Sequence, residues 1–284
     1  MRNRGVRFII LLIRRYNAHD TAGQGAALAY YLLFSIFPIL ILISCLIGQF
    51  ALDFSVVLDT LAPILPESVM VLLGAYLGYV SENVGVPMLL FSAVFSVWFP
   101  MRATSCLMRA VRRAYGLRAP ENRVRYWFRV LMYTGLLLFS LVLTLLVMTM
   151  GGRFMTALGK VFPRVSRWTA LWGIFRFAAL GAEAFLALGA LYAASQDKKH
   201  PFRAGAPGAA GSTFLWIVIS FGYSFYVENI SNYSTIYGAL GTVVVLLIWL
   251  YLTALTLIVG AEINGILLCR SAGWDDAFNQ GERL

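Results

Sequence analysis

The run from Leu240 to Leu268 decides most of what this chain can be. It carries no charged side chain before Glu262, and Asn264 follows two positions later. At about 1.5 Å of rise per residue it would extend roughly 43 Å as a helix, more than the ~30 Å hydrocarbon core of a bilayer. A soluble domain has little use for such a segment. A membrane helix does, and it can hold Glu262 and Asn264 near one end rather than at the bilayer centre.

The other apolar segments read as its partners. Hydrophobic residues make up 60% of the chain and charged residues 13%, against roughly 45–50% and 25% in ordinary soluble domains. The net charge of +10 raises nucleic acid as a partner. The charges lie in short loops between apolar spans, as the positive-inside rule expects, so no specific nucleic-acid partner is expected. Cys45, Cys106 and Cys269 show no CxxC or Cys/His spacing, and neither a disulfide framework nor a metal site is inferred.

The fold class expected is an all-α integral membrane protein, a bundle of six transmembrane helices plus a short interfacial or re-entrant helix. Residues 1–24 form a basic cytoplasmic segment, 25–268 the transmembrane domain and 269–284 a cytoplasmic tail. The spans are expected at about 25–51, 86–107, 130–150, 170–195, 204–227 and 240–268. Arginines around Phe8–Ile13 make the first segment a basic helix on the cytoplasmic surface, drawn to anionic lipid; a frayed basic tail is the alternative. Asp20-Thr21 can cap the helix that follows. Pro38 should bend the first span, and Pro100 interrupts the ladder of the second.

Residues 52–86 hold four acidic residues and no Lys or Arg, which puts that loop outside. Within it, Val69–Val80 is too short to span and reads as the interfacial or re-entrant helix. Arg109, Arg112, Arg113, Arg118, Arg123, Arg125 and Arg129 make the next loop strongly basic and cytoplasmic. The loop around Arg153, Lys160, Arg164 and Arg167 runs against this orientation, which rests on the bias of the rest. Both termini are expected in the cytoplasm. Arg14, Arg15, Arg109, Arg112 and Arg113 are the residues expected to meet anionic headgroups. Gly205, Ala206, Gly208 and Gly211 open the fifth span with small side chains that permit close helix approach.

Charges inside spans cost roughly 2.5–3.5 kcal/mol on insertion scales, so they usually face protein or a wet cavity. Arg102 falls roughly 24 Å into the second span and Glu183 roughly 20 Å into the fourth, counted from the outer ends. The similar depths suggest an internal pair; the alternative has Arg102 snorkelling and Glu183 facing a polar cavity or protonated. Glu262, Asn264, Gln24, Asp20 and Arg109 all fall at the inner ends of their spans, where they form either a polar cluster or ordinary helix-end polarity. His19 and His200 lie at span ends. No HExxH, GxSxG context or phosphate-binding loop is present, and carboxylates are sparse. No catalytic assembly, cofactor or metal is expected.

The stretch Asp20–Pro38, DTAGQGAALAYYLLFSIFP, resembles the first-span signature of the YihY/BrkB family, bacterial inner-membrane proteins formerly labelled ribonuclease BN. Tyr237–Gly241, Trp249–Tyr251 and Gly260–Asn264 are similar to its C-terminal signature, and Tyr115-Gly116 after the basic segment fits too. Arg112 and Arg113 stand where the family often has Asn nearby. The resemblance implies a plasma-membrane location and a role in envelope integrity. The residues point to a transporter or lipid-handling protein. The alternative is a non-transporting structural or interaction protein of envelope assembly, with a second copy or an envelope protein as partner. A membrane-bound ribonuclease is a third reading, which the residues themselves do not support.

Overall fold

The computed structural model describes residues 4–50, 70–71, 74–75, 86–117, 122–161, 166–195, 205–229 and 239–272. Among the described residues the chain is helical throughout. Its helices are α1 (Arg4–Ala18), α2 (Thr21–Phe50), α3 (Val86–Ala114), α4 (Arg123–Val161), α5 (Ser166–Ala194), α6 (Ala206–Asn229) and α7 (Ala239–Ala272). Among the described residues, five stretches are long and apolar enough to cross a membrane: Thr21–Leu42, Pro87–Ala114, Arg123–Thr144, Ala206–Val227 and Leu240–Leu268. Within α5, Ala178–Ala194 is a shorter apolar helix. The helix expected at Val69–Val80 and the tail expected at 269–284 lie mostly outside the described residues; residues 269–272 continue α7.

Helices replace several expected loops. α3 runs on to Ala114 and α4 starts at Arg123, so most of the basic loop is the ends of two helices. Arginine is a good helix former, and its charge does not stop a helix that begins inside the apolar run. Asn122 starts α4: its side-chain Oδ1 accepts the Arg125 N–H at 3.0 Å. α4 also continues through Gly151-Gly152 to Val161, so Arg153 and Lys160 sit on a helix rather than in a loop.

Both prolines are accommodated inside continuous helices, Pro38 in α2 and Pro100 in α3. Each removes the hydrogen bond to the carbonyl four residues earlier. Nearby hydroxyls are satisfied on their own helices: Ser35 Oγ donates to the Leu32 carbonyl at 2.6 Å and Ser96 Oγ to that of Ala93 at 3.0 Å. In an apolar surrounding every polar group needs such a partner.

The chain divides into two compact units, and the division falls within helices rather than loops. One comprises Met1–Ser35, Trp98–Thr134 and Phe185–Leu284; the other comprises Ile36–Val97 and Gly135–Ala184. In the first, α6 and α7 pack through small residues. A Cβ on Gly260 would collide with Ser212 Oγ and the Gly208 carbonyl, and one on Gly208 would collide with the Gly260 carbonyl and Asn264. Ser212 Oγ bonds the Thr256 carbonyl across this seam at 2.9 Å, and the buried Tyr192 hydroxyl donates to the Leu257 carbonyl at 2.6 Å. α3 and α4 meet around Met108, Tyr126 and Val130. There the Tyr126 hydroxyl lies 3.0 Å from Ser105 Oγ, and Thr134 Oγ1 lies 3.0 Å from Thr104 Oγ1. Large apolar side chains face outward instead, among them Phe128, Leu131, Phe139, Phe214, Phe221 and Leu240. So many exposed large apolar side chains suit contact with lipid rather than water.

Candidate functional site

The turn between α1 and α2 builds the first polar group. α1 closes with the His19 N–H on the Arg15 carbonyl at 2.9 Å and the Asp20 N–H on the Asn17 carbonyl at 3.2 Å. Asp20 sits in the left-handed region, φ +49°, which Asp tolerates better than most residues. Its carboxylate then accepts the Gly23 N–H at 3.3 Å and caps α2. A Cβ on Gly23 would strike that carboxylate, so glycine is the residue that fits.

This turn drives His19 inward, to 3% exposure. Its Nδ1 lies 2.6 Å from Glu262 Oε1, and Arg15 Nε lies 2.8 Å from Glu262 Oε2. An ionised carboxylate only accepts, so the proton of that contact belongs on Nδ1. His19 Nε2 is buried with no partner among the described residues. Glu262, itself fully buried, thereby ties α7 to α1.

Glu262 and Asn264 do not act together. Two residues apart on a helix they point about 200° apart. Asn264 faces α6 instead: its Oδ1 accepts the Gly208 N–H at 2.6 Å, and its Nδ2 donates to the Gly205 carbonyl at 2.9 Å. It thus satisfies a free N–H in the first turn of α6 from a different helix.

The arginines behave differently from the expectation of headgroup contact. Arg112 is buried, at 4% exposure, and its Nη1 donates to the Ser195 carbonyl at the end of α5 at 3.1 Å. Arg15 donates to the Ala114 carbonyl at the end of α3 as well as pairing with Glu262. Arg113 donates to the His19 carbonyl after α1 at 3.1 Å, and the Gln24 side chain donates there too. Three guanidinium groups therefore serve helix C-termini, where carbonyls lack ladder partners and the dipole favours a cation. The headgroup expectation is corrected for Arg112, which is buried; the Arg15 side chain, 14% exposed, is paired with Glu262. Arg14 and Arg109 are exposed, and Arg109 also bonds Ser105 Oγ on its own helix at 2.9 Å. Beside this group, burial pushes the Tyr115 phenol up to about 12, so it stays neutral at physiological pH.

Arg102 and Glu183 lie in different units, and each is met within its own. Arg102 Nη2 donates to the Tyr31 hydroxyl at 3.3 Å. Its guanidinium carbon stands 5.4 Å from the Tyr31 ring centre and 5.9 Å from that of Trp98, within cation–π range. Glu183 accepts one hydroxyl on each oxygen, from Ser140 at 2.8 Å and Thr144 at 2.6 Å. Within its own unit each charge is met by neutral partners. Ser140 and Thr144 are one turn apart on α4, so both reach the same carboxylate. Among the described residues no group of three His, Cys, Asp or Glu side chains is placed to hold a metal.

Comparison with known proteins identifies relatives of this chain. The ribonuclease-like protein YfkH of Bacillus subtilis is 28% identical over 260 residues, covering 92% of this chain and 94% of that protein. A UPF0761 membrane protein of Vibrio vulnificus is 24% identical over 273 residues, covering 93% of this chain and 83% of its own. A UPF0761 membrane protein of Vibrio campbellii is 36% identical, but over 92 residues only, 32% of this chain and 29% of its own. No solved structure matches. The family model described as virulence factor BrkB matches residues 12–277, which takes in both the Glu262 group and the two charges within the helices. With that match across nearly the whole chain, and with helices fit to cross a membrane repeatedly, the protein belongs to the BrkB family and is a multi-pass membrane protein.

Proposed function

We propose that this protein is a bacterial inner-membrane protein of envelope integrity that moves lipid or a solute, with six spans and both termini in the cytoplasm. The observation that carries the reading is the pair of charges held by neutral partners inside the helices. Arg102 rests on a phenol and two ring faces, and Glu183 on two hydroxyls. A charge at membrane depth is costly, and folds that need only stability replace it. Retaining two supports a path along which a polar group travels.

The test is purified protein in liposomes, with movement of labelled phospholipids and of labelled solutes followed over time. Movement above empty liposomes is expected, and Glu183→Gln is expected to slow it by about tenfold, the loss of one charge-assisted contact. Absence of movement for every lipid and solute tried overturns the reading.

A second reading, a structural or interaction protein of envelope assembly, draws on the tight α6–α7 seam and on arginines engaged at helix ends. It predicts a stable co-purifying partner and unaltered function in Glu183→Gln. A ribonuclease reading draws only on the name of the Bacillus relative. RNA cleavage lost in both Glu183→Gln and Glu262→Gln would support it.

A further inference from the structure

Among the described residues, most of the donors of the Arg102 cation meet no hydrogen-bond partner. A guanidinium has five N–H donors in a fixed fork. One of those on Nη2 goes to Tyr31, and Nε is buried with no partner among the described residues. Its unit has two carboxylates with described side chains, and both are engaged elsewhere. Glu262 holds Arg15 and His19, and Asp20 caps α2.

The surroundings are aromatic and partly open. Tyr30, Phe34 and Trp98 are each at least two-fifths exposed, at 48%, 40% and 45%. Tyr30 packs on Phe34 at 4.5 Å between ring centres, and Phe34 on Phe99 at 5.8 Å, forming one wall across α2 and α3. Arg102 is seven residues from the exposed Arg109, about 10 Å further along the helix and away from its basic end.

We propose that Arg102 binds the phosphate of a phospholipid whose acyl chains lie on the Tyr30–Phe34–Trp98 wall. The assignment rests on the lipid-handling form of the function proposed above and names its ligand. A guanidinium fork matches two phosphate oxygens at once, and the contact is strong where water is scarce. The neighbouring exposed rings select a lipid over a free anion, because a soluble phosphate would leave them facing nothing. Tyr31 sets the fork: its hydroxyl and ring fix the guanidinium plane and leave the Nη1 donors and the second Nη2 donor for a ligand.

The test is lipid retention by the purified protein in detergent, read by native mass spectrometry. Phosphatidylglycerol, phosphatidylethanolamine, the neutral lipid dioleoylglycerol and inorganic phosphate are titrated separately. Wild type is expected to keep one phospholipid of either headgroup more tightly than the rest, and to keep neither dioleoylglycerol nor phosphate. Arg102→Gln should weaken that lipid by about tenfold, a loss of about 1.4 kcal/mol. Arg102→Lys should weaken it less, since the charge remains without the fork. Tyr31→Phe preserves the fold's aromatic wall and the charge and should weaken it by about threefold, which keeps the test open if Arg102→Gln does not fold.

Equal retention in wild type, Arg102→Gln and Tyr31→Phe overturns the assignment. So does binding of inorganic phosphate as tight as that of phospholipid, which would make this a solute-anion site. Lipid retained by the wild type through Arg102 without any movement in liposomes would overturn the functional reading and leave this one standing.

Discussion

Glu262 shows how one side chain is made indispensable by its partners. Its side chain is 1% exposed, and it faces Arg15 at 14% and His19 at 3%. Removing one member of a buried pair costs more than the pair contributes, because the survivor keeps its charge without compensation. Glu262→Gln should therefore destabilise the protein by about 3 kcal/mol, measured as thermal unfolding in detergent. Arg109→Gln, at an exposed position, should change stability by less than about 0.5 kcal/mol. Glu262 is legible in the sequence as the lone charge of an apolar run. Its partners are not, since they stand 247 and 243 positions away. Nothing local marks Arg15, rather than Arg14 beside it, as the one that turns inward. The same limit hides Arg112, which reads as one more basic residue until Ser195 is brought to it.

At the scale of elements, the α6–α7 seam depends on the absence of side chains. Adding a Cβ at Gly260 meets the Gly208 carbonyl at 2.6 Å and the Tyr192 hydroxyl at 2.9 Å. Backbone cannot swing aside as a long side chain would. Gly260→Ala is thus expected to cost about 3 kcal/mol, the upper range for overpacking, and to break the Ser212–Thr256 bond with it. The measurement is thermal unfolding beside Gly222→Ala in α6, where an added Cβ meets nothing within 4 Å. Existence of the apolar helices is legible, because long uncharged runs have few other solutions. Their ends are less so. Arginine-rich termini read as loops on charge alone, whereas α3 and α4 carry those arginines as helix. The turn at Asp20 depends on a left-handed backbone and on Gly23, a combination visible in the sequence only as a capping residue.

For the whole molecule, the amount and placement of apolar surface are the governing facts. Outward-facing Phe, Leu and Val are the reverse of a soluble fold, and membrane residence follows from composition before any contact is known. The proposed sidedness rests on arginine placement. Reporter tags on the two chain ends should both be active only on the cytoplasmic side; signals from opposite sides would remove the six-span arrangement. Of the candidate site, the two charges within the helices are legible by their rarity, while the hydroxyls and rings that meet them are not. Serine, threonine and aromatic residues are common in every span and stand out only once helices are packed.

Membrane insertion reads arginines one by one as the chain emerges, before any helix has met another. In the folded protein Arg15 and Arg112 are instead clasped over helix ends. Two of the arginines counted in the formal +10 are thus turned toward helix ends rather than toward the surroundings. The protein's attraction to acidic bilayers should respond to salt less steeply than its arginine content implies.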